Sequence, residues 1–179
     1  MPRHWIEATF RAHGHTHYSG EREEAVSALE HGLQCAMLAE RQGASPALII
    51  AALVHDIGHM AGKQASRRDD VDDRHELIGA RLLAREMPPE VSEPVRLHVA
   101  AKRYLCAIEP DYFAALSPAS VHSLELQGGP MKADECRAYE AERFAQDGIR
   151  LRRWDELGKQ PGLATPSLGH FLALIDKLV

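Results

Sequence analysis

Cysteine is scarce. The three in the chain, Cys35, Cys106 and Cys136, are odd in number, far apart and in no CxxC pair. That pattern excludes a disulfide framework and a zinc knuckle, and it leaves the thiols as small helix-packing groups. Long apolar runs are missing as well. None approaches the roughly 20 residues that cross a bilayer, and the start, MPRHWIEATFRAHGH, lacks the apolar core of a signal peptide. The expected protein is therefore cytoplasmic, with no membrane partner. Positive charge is not in excess, with 21 Lys and Arg against 26 Asp and Glu, so no nucleic-acid surface is expected. Strict apolar–polar alternation bounded by turns, the signature of a strand, is also absent.

What is present is an ordinary globular composition, 45% hydrophobic and 26% charged, in 179 residues. That length suits one domain with a full core. Composition sets no oligomeric state. Apolar residues recur at helical spacing almost throughout, which predicts an all-α fold. A first helix is predicted from about Glu23 to Gln42, and Ser45-Pro46, as N-cap and N1, opens a second that carries AALVHDIGH to about Met60. GKQASRRDDVDD reads as a charged loop before a third helix from about His75. The Pro88-Pro89 break precedes a fourth, about Glu90 to Leu105. Ser117-Pro118 opens a short helix that ends at Gly128-Gly129, a long amphipathic helix covers about Ala133 to Leu157, and GHFLALIDKLV closes the chain. Residues 1–22 are read as a lead segment and about 23–179 as the core of one domain, with His13, His15 and His17 of HGHTH in a solvated loop.

The unusual number is histidine, 11 in 179 residues. His55-Asp56 ends an apolar helix, where an unpaired buried carboxylate would cost several kcal/mol. A bound cation removes that cost. His31 lies on an apolar helical face 24 residues earlier, and Asp155 follows Trp154 near the end of the long late helix. His, His-Asp and Asp in this order and spacing resemble the HD-domain superfamily of helical metalloproteins. The resemblance implies an HD-type helical bundle in which His31, His55, Asp56 and Asp155 hold a metal and Asp56 bridges to a second. His75 and His98, on two further predicted helices, suggest that second metal. Four imidazoles and two carboxylates suit iron or manganese, and also zinc.

The strings VSALEHGLQCA, AALVHDIGH, HVAAKRYL, LSPAS, LQGGPM and LRRWDE, between residues 25 and 156, are similar to one branch of that superfamily. This branch is the PhnZ-type, phosphonate-degrading oxygenases, relatives of myo-inositol oxygenase. The resemblance implies two iron ions (Fe2+/Fe3+) that use dioxygen to cleave the carbon–phosphorus bond of a 1-hydroxyphosphonate, giving phosphate and a carboxylate.

Spacing agrees with an anionic substrate. His59 is four residues after His55, Lys102 four after His98, and Arg152 three before Asp155, so each stands one helical turn from a ligand. As three cationic groups they would hold a phosphonate, and Ser120 and Ser123 match family positions that add hydroxyls. The family also has a Tyr-x-Gly-Glu segment before the first helix. Here Tyr18-Ser-Gly-Glu21 is followed by three extra residues, so the turn register favours Glu21 and the helix register favours Glu24 as the contact to a substrate amine. Two rival functions use the same ligands: a metal-dependent phosphohydrolase acting on a nucleotide or phosphate ester, and a noncatalytic phosphonate sensor.

Overall fold

The computed structural model describes residues 2–16, 26–61 and 71–178. Among these residues it holds eleven helices and no strand, as the periodicity predicts. Tyr18, Glu21, Glu24 and His17 lie outside the described residues.

The centre of the core is α3 (Pro46–Val54), whose residues 47–54 are all buried. A helix that is apolar all round needs neighbours all round. It has them in α2 (Ala28–Arg41), α6 (Pro89–Ile108), α10 (Ala145–Leu157) and α11 (Leu168–Ile175). Ser-Pro pairs start α3 and α8 (Pro118–Leu126) where the sequence indicates, whereas α2 starts at Ala28, later than the predicted Glu23, because Ser27 caps it. Ser27 and Glu30 form a reciprocal capping box on α2, and Ser45 accepts the Leu48 N–H with Pro46 at N1 of α3. Ser117 caps α8 in the same way.

Four further features depart from the predicted pattern. The lead segment contains α1 (Pro2–His13), which buries Ile6 and Phe10 and packs on α11 and on α4 (Ile57–Ala61). A short helix with two deeply buried positions carries too little periodicity to announce itself, and docking stabilises it. The second predicted helix is interrupted at His55-Asp56, between α3 and α4. The long late helix is likewise two, α9 (Ala133–Glu140) and α10, where the Tyr139 hydroxyl donates to the Ala145 carbonyl at 2.9 Å. Finally, α7 (Pro110–Ala114) follows α6, and at five residues it is too short to show a period. The third predicted helix is α5 (His75–Leu83).

Two glycines set how closely the elements around the ligands approach. A Cβ on Gly32, next to His31, would lie 2.6 Å from the Leu53 carbonyl oxygen, and one on Gly58 would lie 2.0 Å from that of His75. No helix of the described residues is long and apolar enough to cross a membrane.

Candidate metal centre

Five segments bring their ligands to one place. His31 comes from α2, His55 and Asp56 from the α3–α4 break, His75 from the first residue of α5, His98 from α6 and Asp155 from α10. All but Asp56 are buried, and the Asp56 side chain is 17% exposed. The donor atoms fall into two groups. In the first, His31 Nε2 lies 3.2 Å from His55 Nε2 and 3.2 Å from Asp155 Oδ1, while Asp56 Oδ2 is 3.6 Å from His55 Nε2. In the second, His75 Nε2 and His98 Nε2 are 3.1 Å apart, and Asp56 Oδ1 is 3.3 and 3.8 Å from them. Asp56 thus offers one oxygen to each group.

The outer ring nitrogens are all committed. His31 Nδ1 donates to the Gly158 carbonyl at 2.8 Å, His55 Nδ1 to Ala52 at 2.9 Å and His98 Nδ1 to Val95 at 2.7 Å, and His75 Nδ1 donates to Asp73 Oδ1 at 3.0 Å. Each bond fixes a ring with Nε2 aimed inward, the arrangement of metal-ligating histidines. Two Nε2 atoms about 3 Å apart repel unless a cation lies between them. Without metal that cation is a proton. Against the opposing effect of burial, the Asp155 carboxylate raises His31 well above its ordinary value, and Asp56 and Asp73 raise His75 to about 10. Burial and the neighbouring His75 and His55 push His98 well below. Burial would neutralise Asp56 and Asp155, but the histidines around Asp56, and Arg152 beside Asp155, hold both carboxyls well below the usual range. The residues present therefore fit two divalent cations sharing Asp56, with nitrogen and oxygen donors only.

Cys35 lies within the first group's reach, its sulfur 3.9 Å from His31 Nε2. Its thiol donates to the Trp154 carbonyl at 3.5 Å, and burial pushes its ionisation up, so it acts as a packing group.

The substrate candidates stand against this centre. Lys102 is buried and donates to Ser123 Oγ at 2.7 Å. Burial and the Arg152 charge pull its ammonium down to about 7. Ser120 Oγ donates to Glu156 Oε2 at 3.1 Å and is 3.4 Å from Lys159 Nζ. Arg152 is held by the chain's own groups, Nε by the Tyr112 hydroxyl at 2.8 Å and the two terminal nitrogens by short contacts to Asp155 and Glu156. In the structure this fork engages Asp155 and Glu156, so Arg152 orients Asp155. Burial and the His75 charge push His59 below its ordinary value, while Asp73 Oδ2, 2.6 Å from its Nδ1, opposes that shift. Four partners escaped the sequence reading. Asp73 lies in a charged run of loop-like composition and Tyr112 on a helix too short to show a period, while Glu156 and Lys159 follow a candidate ligand. Glu156, four residues after Arg152, carried a usable pairing signal.

A helical bundle with His, His-Asp and Asp at one buried centre defines the HD-domain class, and residues 28–178 match the HD domain family. Within it, the chain belongs to the PhnZ-type phosphonate dioxygenase branch. It is 42% identical over 177 residues to (1-hydroxy-2-(trimethylamino)ethyl)phosphonate dioxygenase (glycine-betaine-forming) of Leisingera caerulea, across 98% of this chain and 89% of that one. It is 43% identical over 162 residues to the hydroxymethylphosphonate dioxygenase of Gimesia maris, across 89% and 79%. An uncharacterized protein of Acanthamoeba polyphaga mimivirus is 31% identical over 166 residues, across 90% and 74%.

Proposed function

We propose that the chain is a diiron dioxygenase that cleaves the carbon–phosphorus bond of a small-molecule 1-hydroxyphosphonate. The observation that carries the reading is the pair of inward-facing imidazole couples bridged by Asp56, set beside the buried cations Lys102 and Arg152. His31, His55, Asp155 and one oxygen of Asp56 would hold one iron, and His75, His98 and the other oxygen the second. When bound, the irons supply dioxygen activation and Lewis acidity.

The rest falls to the protein. Lys102, Ser120, Ser123, His59 and the Arg152 charge bind the phosphonate and turn the hydroxyl-bearing carbon toward the metals. Arg152 keeps Asp155 ionised and oriented, and the surrounding core excludes water. Either Glu21 or Glu24 is the proposed contact to the substrate's far end, and Tyr18 would occupy a metal site before substrate arrives. The two named relatives act on hydroxylated phosphonates with and without a trimethylamino group, so a shared phosphonate clamp and a variable far end fit the branch. The balance is R–CH(OH)–PO3(2−) + O2 → R–COO(−) + HPO4(2−) + H(+). One new oxygen enters each product.

Labelled dioxygen tests this. With hydroxymethylphosphonate and its 2-trimethylamino homologue, one labelled atom is expected in the carboxylate and one in the phosphate, and no phosphate should form without air. Anaerobic phosphate release from an ester, at a rate unaffected by oxygen, would replace the reading with the phosphohydrolase. Binding without turnover under either condition would replace it with the sensor.

A further inference from the structure

Asp73 stands just before α5, with its side chain about half exposed at the edge of the centre. Its carboxylate is used three times over. Oδ1 accepts from His75 Nδ1 at 3.0 Å and from the His75 backbone N–H at 3.2 Å, and Oδ2 lies in close ionic contact with His59 Nδ1, 2.6 Å away. The two imidazoles it holds lie face to face, with centroids 3.8 Å apart and planes 19° from parallel. His75 cannot turn without losing its bond to Asp73 and its stack on His59, and His59 cannot turn without losing its close contact with Asp73 and that same stack. A ring nitrogen of His59 and donor atoms of Asp56 and His75 also lie within 4.8 Å of one another, so this pair borders the second metal group directly.

The backbone carries a second sign. Arg74, between Asp73 and His75, has φ of +50°, and among the described residues no other non-glycine residue has a positive φ. That left-handed conformation is strained for a residue with a side chain. Here it folds the Asp73 carboxylate back over the residue two ahead, so that one group reaches both the side chain and the N–H of His75.

We propose that Asp73 is a positioning residue that locks His59 and His75 as a unit, so that the second metal group and a phosphonate donor are oriented by one carboxylate. The donor role of His59 rests on the function proposed above, while the effect on metal binding does not.

The test uses the full chain with Asp73→Ala, and Arg74→Gly as the control that relaxes the turn but keeps the carboxylate. Zinc affinity is measured by chelator competition without substrate, and inorganic phosphate affinity is then measured with both sites saturated. For Asp73→Ala the weaker of two zinc equivalents should lose about 10- to 100-fold in affinity while the tighter one is unchanged. Phosphate affinity at saturation should fall about tenfold. Arg74→Gly should match the parent in both. Two zinc equivalents of parental affinity in Asp73→Ala would overturn the proposal, and so would lost zinc affinity with phosphate binding untouched, since the coupling is then absent. Should Asp73→Ala fail to fold, Asp73→Asn gives the same reading, because its amide can accept from only one of the two Nδ1–H groups. If the oxygen-labelling experiment fails but the zinc result holds, the positioning role stands and only the reaction is withdrawn.

Discussion

At the scale of single residues, Lys102 is the group whose chemistry reaches furthest. Its ammonium is buried beside Arg152 and titrates at about 7, so near neutral pH it is only partly charged. A bound phosphonate dianion favours the charged form and therefore holds the proton. Binding takes up a proton above that pH, and affinity should weaken as pH rises through about 7 and beyond. Arginine stays charged over the whole range, so Lys102→Arg should show a flatter profile. The measurement is phosphate affinity for both metal-loaded proteins from about pH 6 to about pH 9. The ligand's own second ionisation is common to both and cancels in the comparison. Parallel profiles would mean that Lys102 is fully charged throughout.

At the scale of elements, the second metal group depends on how closely α4 meets α5. Gly58 leaves room for the His75 carbonyl, and an alanine there would place its Cβ 2.0 Å from that oxygen. The obstacle is backbone, so the helices must separate. Gly58→Ala should cost about 1–3 kcal/mol or more, seen as a fall in melting temperature of several degrees. It should also move His75 away from His98, so that metal content drops from close to two toward one per chain. A variant with the parent's melting temperature and full metal content would show that α4 and α5 can part without disturbing the centre.

At the scale of the whole molecule, the ligands join five segments that are distant along the chain. Bound metal stabilises the folded form by RT ln(1 + [L]/Kd), because the unfolded chain cannot assemble the set. Chelation should lower the melting temperature by several degrees, and an unchanged value would place the metals outside the core. The metal-free centre holds protons on His31 and His75. Metal uptake near neutral pH should therefore release about two protons per chain, read by calorimetry in buffers of different ionisation enthalpy, and uptake should weaken as pH falls.

The all-α class and most helix starts are legible in the sequence, because Ser-Pro caps and 3.6-residue periodicity are local, and the candidate ligands are legible because His55-Asp56 on an apolar helix calls for a cation and the spacing of the others resembles the HD pattern. Only the tertiary structure decided how those residues are used. That Arg152 faces Asp155 and Glu156, that His59 and His75 share Asp73, and that α1 docks through Ile6 and Phe10 are facts about neighbours distant along the chain or across a turn. Periodicity reports which face of a helix is buried, not what lies opposite it. A guanidinium or an imidazole takes its role from whatever carboxylate the fold sets beside it.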